Sequence, residues 1–345
     1  MKSHHFFLSL KKSIFPILAT GFVIALAPLQ ADLNSDLAFT AFSNVDVNAM
    51  AGGKVLQVRG PLLDFQRGIV AQSLYILNAT PAEVQQKLVS WNPASHPKLE
   101  VWIHHELPAK PTPADFSGLA NLPDNSSVNY QINTTATLDP KNPALQLNKS
   151  EAASIVPLQA QKMDKKALYV NFWSQVLAGR VNLFINGKLG EESYSVSDGE
   201  IKPLDEIKSL IRSDSKVYAD FHPLFSQTPL YASTKATPAA LYYDSFDVQG
   251  YGSLGTGAVY QASNGTAIQS LDVEYFANSS IYVTIELEKL WPITVNGKNA
   301  TLVWRQDLVS TPNVSYLHGV ERMASSMIML QEVQTAVDAF RSEFK

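Results

Sequence analysis

Residues 279–344 restrict the fold of this chain more than any other stretch. Apolar and polar residues alternate over 281–288, and a second β-prone run follows at 300–309. Between them stands Asn296-Gly297, the pair most typical of a two-residue β-hairpin turn. Apolar residues then recur at steps of three and four over 320–344, which predicts a helix with one apolar face. At about 1.5 Å per residue, such a helix is long enough to lie across a sheet.

The chain before this unit reads as strands, helices and one long irregular stretch. A strand is predicted over 68–77, followed by a helix whose start is marked by Thr80, Pro81 and Glu83. Another strand is predicted over 99–105. Residues 107–147 are predicted to be long loops with one strand at 128–137.

Helical patterns return in the middle of the chain, and strands dominate after it. Helices are expected from near Asp164 to about 183 and over 203–211, and strands over 241–261 and 268–276. The resulting prediction is an α+β fold, with a curved antiparallel sheet wrapped around a long C-terminal helix. The extra helices inserted mid-chain are expected to cover an edge or the mouth of that sheet.

The N-terminus predicts export. Lys2, Lys11 and Lys12 precede an apolar run at 14–27, the pattern of a secretory signal peptide, here residues 1–31. We therefore expect a periplasmic or secreted protein that keeps no stable membrane span after cleavage before Asp32. An uncleaved N-terminal anchor is the alternative, because the apolar run is long enough to remain in a bilayer.

Composition excludes several functional classes. The 31 acidic side chains outnumber the 27 basic ones, and three of the lysines belong to the predicted signal peptide. A nucleic-acid partner is not expected, since it requires a basic face. The absence of cysteine excludes disulfides, thiol nucleophiles and thiolate metal sites. A cysteine-free exported chain of this size favours a bacterial source.

The order of predicted elements resembles a known superfamily. A strand, a short helix opened by residues 79–84, a meander of strands and a long closing helix are similar to the START-like, or helix-grip, superfamily. The resemblance covers about 72–105 and 241–344, and leaves an insertion at about 106–240. It implies a single domain over 32–345, with a cavity between the sheet and the last helix that holds an apolar small molecule. The fold also hosts enzymes, so the resemblance fixes no reaction.

Three patterns resemble dinucleotide-binding, catalytic or metal motifs. Gly250, Gly252 and Gly255 match G-x-G-x-x-G, but the following residues continue as a strand, so we interpret them as a glycine-rich β-turn. The same stretch approaches a nucleophile elbow around Ser253, which leaves a hydrolase as a remote alternative. His104 and Glu106 would share one face of a strand, yet two ligands are fewer than a metal site needs.

The C-terminal unit supplies the predicted ligand site. Methionine fills irregular apolar space adaptably, and aromatic residues are frequent here. The expected ligand-binding residues are Val283, Ile285, Trp304, Met323, Met327 and Leu330. No cofactor, no metal and no catalytic residue are predicted.

The main hypothesis is therefore an exported, non-catalytic protein that binds a lipid-like or other apolar small molecule between the sheet and the C-terminal helix. The alternative is a structural or protein-binding envelope component in which the same residues pack a filled core. The sequence leaves the oligomeric state open.

Overall fold

The structure is a computed structural model. It describes residues 33–43, 45–60, 63–189, 193–196, 199–231, 237–248, 250–265, 267–275, 281–317 and 319–344. The predicted signal peptide, residues 1–31, lies outside the described residues.

Ten strands and nine helices are described. The strands are β1 Leu56–Arg59, β2 Gly68–Leu77, β3 Val101–Glu106, β4 Tyr194–Val196, β5 Gly199–Ile201, β6 Ala240–Val248, β7 Tyr251–Asn264, β8 Ala267–Tyr275, β9 Val283–Val295 and β10 Lys298–Ser310. The helices are α1 Leu33–Asp36, α2 Val47–Ala51, α3 Pro81–Ser90, α4 Ser126–Ala136, α5 Lys149–Ala160, α6 Lys165–Ile185, α7 Pro203–Arg212, α8 Ser215–Phe225 and α9 Gly319–Ser342. Short 3₁₀ segments lie at Pro93–Ser95, Pro97–Leu99, Pro113–Asn121 and Pro312–Val314.

Eight strands form one curved, open sheet in the order β1-β2-β10-β9-β8-β7-β6-β3. Every neighbouring pair is antiparallel. The β9–β10 hairpin turns at Asn296 and Gly297, which both have positive φ angles of 51° and 75°. Two residues with positive φ give a tight turn whose twist matches that of the strands. The α+β class, the antiparallel sheet and the long C-terminal helix are thus confirmed.

The mid-chain helices lie on the sheet face opposite α9. Because side chains alternate along a strand, Tyr275 and Trp304 enter this face, where Tyr275 stacks on Phe184 of α6 and Trp304 packs against Phe221 of α8 in one large core. The expected position of these helices, at an edge or the mouth, was wrong in this respect. They form a layer of their own.

One buried ion pair joins two helices of that layer. The Arg180 side chain on α6 has no solvent exposure, and its Nε donates to Oε1 of Glu151 on α5 at 2.8 Å. Its Nη2 donates to Oε2 of the same carboxylate at 2.9 Å and to the backbone oxygen of Gln146 at 2.6 Å. A guanidinium in this setting depends on its partners, because a buried unpaired charge is strongly unfavourable.

The strand predicted at 128–137 is a helix. The side chain of Asn125 accepts a hydrogen bond from the backbone N–H of Val128 and so caps the first turn of α4. Val128, Ile132 and Thr135 are buried at helical spacing. The β-branched residues of this stretch suggested a strand, but the cap and the core on one side of the helix outweigh that preference.

Helices α3 and α9 cover the other sheet face. Val333, Val337 and Phe340 of α9 are buried in a second, smaller core, together with Tyr75 of β2 and Val303 of β10. This core occupies only part of the face. Among the described helices, none is long and apolar enough to cross a lipid bilayer.

Candidate functional site

Charged side chains fill the part of the α9-facing sheet surface that the small core leaves free. Leu271, Val273, Val283, Ile285 and Leu287 turn to the large core, so the residues between them turn to α9. On three adjacent strands, the charged residues that turn to α9 are Asp272 and Glu274 of β8, Glu286 and Glu288 of β9, and Arg305 and Asp307 of β10.

The strand register brings three carboxylates into one row. Asp272 lies opposite Glu286, and Glu286 lies opposite Asp307. Like charges directly opposite each other destabilise a sheet. Carboxylates held in such unfavourable proximity are typical of a functional site.

A cavity of about 290 Å³ opens above this row, between the sheet and α9. We call it the acidic groove. Its lining side chains from the sheet include Tyr242, Asp272, Glu274, Thr284, Glu286, Arg305 and Asp307, and those from the helix are Met329, Glu332, Val333 and Ala336. Among the described residues that line it, five carboxylates face a single guanidinium.

Arg305 is engaged by two of these carboxylates. Its Nη2 lies 2.6 Å from Oε2 of Glu286, and it donates from Nη2 to Oδ1 of Asp307, also at 2.6 Å. Its Nε contacts both oxygens of Asp307. Asp272 and Glu274 therefore receive little of its compensating charge.

Four carboxylates on this sheet face hold protons unusually tightly. Burial raises the pKa of Asp272 to about 7, although the Tyr242 hydroxyl donates a hydrogen bond to its Oδ1 at 2.7 Å. Burial also raises the pKa of Glu286 to about 8, against the opposing effect of Arg305. The pKa values of Glu274 and Glu288 lie well above their usual range, again chiefly because of burial. At neutral pH this site therefore carries protons that solvated carboxylates would have lost.

Two glycines of β7 make the groove possible. A Cβ atom on Gly255 would lie within van der Waals overlap of Glu274, and one on Gly257 would overlap the ring of Tyr242. Without a side chain at either position, Glu274 and Tyr242 can lie across the strand. Glu274 Oε1 is buried there and has no hydrogen-bond partner among the described residues. A buried oxygen without a donor is available to a ligand that supplies one.

A smaller cavity of about 140 Å³ shares the lining residues Tyr242 and Asp272 with the acidic groove. Here Nδ1 of His104 lies 2.7 Å from Oδ1 of Asp244. Burial tends to lower the pKa of His104, but the hydrogen bond and charge of Asp244, with Asp272 and Glu106 nearby, raise it. His104 and Glu106 do line one cavity, as their spacing on a strand predicted.

The residues predicted to bind a ligand are not brought together. Val283, Ile285 and Trp304 belong to the large core on the opposite sheet face, although Ile285 also borders the acidic groove. Met323 and Met327 are half exposed on α9, at 49% and 51%. Leu330 packs at the edge of the small core.

The methionine that lines the groove is Met329, which is not among the six expected ligand-binding residues. The signal that could have identified the site is the alternation of acidic and apolar residues in β8 and β9. The residues of β9 expected at the site were Val283 and Ile285, whereas Glu286 and Glu288 are the ones that point toward the helix.

The glycine motif does not form the strand-to-helix turn of a dinucleotide site. Gly250 forms the turn between β6 and β7 with a φ angle of 86°, and Gly252 and Gly255 lie within β7. The expected continuation as a strand is confirmed. Ser253 is fully buried in that strand.

The described residues contain no group of three or more histidine, cysteine, aspartate or glutamate side chains arranged to hold a metal ion. Comparisons with protein-family models, with curated proteins and with solved structures gave no match for this chain.

Proposed function

We propose that this protein is an exported binding protein that holds a small organic cation in the acidic groove. The observation that carries the proposal is the imbalance of charge along that cavity, where five carboxylates meet one guanidinium. A cationic group placed there would replace protons on Asp272 and Glu286 and compensate the negative charge of the carboxylates that result. It would also offer a donor to the unpartnered oxygen of Glu274.

The shape of the groove favours an amine or guanidine with an apolar part over a bare metal ion. Met329, Val333 and Ala336 form its helix side, opposite the carboxylates. Ligand sites commonly combine such apolar walls with a few polar groups that fix orientation. A cavity of about 290 Å³ suits a ligand of modest size.

The START-like resemblance stays part of the proposal. The groove lies between a curved sheet and the closing helix, where that resemblance leads us to expect a ligand, and the mid-chain helices fall within the predicted insertion at 106–240. The class of ligand that we propose differs from the lipid-like molecule first expected. Export to the periplasm or beyond remains part of the proposal and rests on the signal peptide predicted at 1–31.

The test measures the binding of two matched probes to protein purified after export. Phenethylamine and 2-phenylethanol share a phenyl group and differ in charge, and palmitate represents the apolar class. We expect calorimetric titration at pH 7 to detect the amine but not the alcohol, with protons released on binding. Losing one charge-assisted hydrogen bond in Glu286→Gln should weaken amine binding about tenfold or more.

Two methionine variants test whether the amine binds in the acidic groove. Met329→Ala removes a wall of the groove and should weaken binding of the amine, whereas Met327→Ala changes a half-exposed side chain outside it and should not. Equal binding of amine and alcohol would refute the proposal. Binding of palmitate alone would restore the apolar-ligand hypothesis.

A second candidate function rests on the His104–Asp244 pair. A histidine within hydrogen-bond reach of a carboxylate in a cavity is suited to general acid–base chemistry, such as activation of a water molecule. Hydrolysis of p-nitrophenyl acetate that disappears in His104→Gln and persists in the exposed-site variant Asp338→Asn would favour this function. No difference between the two variants would reject it.

A further inference from the structure

A second large cavity lies away from the acidic groove and has the opposite chemical character. Its volume is about 480 Å³, within the range of small-ligand sites. We call it the neutral groove, and its lining residues are Tyr130, Asn142, Pro143, Ala144, Leu145, Gln146, Ser195, Val196, Tyr251, Tyr282, Pro312 and Asn313. None of these described lining residues is acidic, basic or a histidine.

Local geometry sets two tyrosines at the wall of this groove. The Ser127 hydroxyl at the start of α4 donates to Oδ2 of Asp247 at 2.5 Å and contacts the backbone oxygen of Gly250 at 3.0 Å. These bonds tie α4 to the turn between β6 and β7. A Cβ atom on Gly252 would lie 2.9 Å from the backbone oxygen of Ser127, so the close approach of helix and strand requires glycine there. The glycine motif thus serves this contact.

Tyr130 and Tyr251 stand beside each other as a result. Their ring centroids are 5.5 Å apart, and their planes meet at 77°. Both are largely exposed, at 46% and 49%. Two adjacent exposed aromatic rings at the border of a cavity are typical of a binding surface, since a large apolar group gains little by facing water alone.

Neutral amides supply the polar part of the groove. Asn142 and Asn313 are exposed and present both donors and acceptors. Gln146 is only 5% exposed, and its Oε1 has no hydrogen-bond partner among the described residues. A buried amide oxygen without a donor at the wall of a cavity is consistent with a ligand or water that completes it.

We propose that the neutral groove binds a short, uncharged oligosaccharide. A sugar ring has an apolar C–H face that can stack on tyrosine and a rim of hydroxyls that can bond to amides. A charged ligand would find no counterion here, and a purely apolar ligand would leave the amides without partners on binding. The proposal is independent of the cation site, because the two cavities have no lining residue in common.

The experiment titrates the exported protein with cellotetraose, maltotetraose and chitotetraose, using saturation-transfer NMR and calorimetry. At least one sugar should bind, and either Tyr130→Ala or Tyr251→Ala should weaken it tenfold or more. Tyr316→Ala is the matched control, because that tyrosine is 69% exposed and does not line the groove. Glu286→Gln should leave sugar binding unchanged, which separates this result from the test of the cation site.

Three outcomes would overturn the proposal. They are no binding of any of the three sugars at millimolar concentration, equal binding by both tyrosine variants and the wild type, and equal loss in Tyr316→Ala. The two tyrosines are exposed, so their replacement is expected to leave the fold intact, and a circular dichroism spectrum and melting temperature of each variant verify this.

Discussion

Replacing Asp272 with asparagine should stabilise the protein at alkaline pH and not at acidic pH. The carboxyl group has its pKa raised from 3.8 to about 7 by burial. Between these two pH values the unfolded chain is ionised at this position while the folded chain keeps its proton. Folding therefore takes up a proton, and the free energy of unfolding falls as pH rises through this window. Asparagine does not titrate, and its oxygen can still accept the hydrogen bond from Tyr242.

The size of the effect follows from the shift. Each pKa unit corresponds to about 1.4 kcal/mol, so a shift of roughly three units sets a ceiling of about 4 kcal/mol. Asp272 is only partly buried, and water in the groove screens part of this, so we expect about 2 kcal/mol at pH 8. Below pH 4 the difference between the two proteins should be nearly independent of pH.

Urea denaturation of wild type and Asp272→Asn at several pH values from 4 to 8 measures this difference. Asp338→Asn is the control, since that carboxylate is 58% exposed on α9 and its removal should give a small, flat difference. A gain in Asp272→Asn that is the same at every pH, or a loss at pH 8, would refute the linkage between burial of this carboxyl and stability.

Two further predictions concern packing and buried charge. Gly255→Ala should destabilise the fold by about 1–3 kcal/mol, since the added methyl overlaps the end of the Glu274 side chain. Glu274→Ala in the same chain should restore part of this loss. Gly179→Ala in α6 has free space and should stabilise by about 0.5–1 kcal/mol, and thermal melting of the three variants and the wild type ranks them. Glu151→Ala should cost about 3–5 kcal/mol in urea denaturation because it leaves the guanidinium of Arg180 buried beside an empty position, and Lys149→Ala on the exposed side of the same helix should cost little.

The sequence predicted the C-terminal half of this fold well, because its signals are local. The Asn296-Gly297 turn, the strand alternation and the helical spacing of α9 each arise within a few residues and were confirmed. The helix at Ser126–Ala136 was missed because its stability comes from the core it contacts and from the cap at Asn125.

The candidate site was harder to predict because a strand with alternating apolar and acidic residues can turn either face toward the last helix. The pattern of β9 shows that Ile285 and Glu286 face opposite ways, but it does not say which side receives the last helix. We assigned the apolar side to α9. The mid-chain helices take that side instead, and only the assembled sheet shows that their combined apolar surface needs it. The acidic residues therefore face α9.

The length of the hairpin turn thereby sets the register between β9 and β10. Two residues join the strands, and the register that results places Trp304 among aromatic rings and Arg305 among carboxylates. One additional residue in this turn would offset every side chain of β10 by one position and exchange the two environments. Insertions here should therefore abolish both the packed face and the charged face at once.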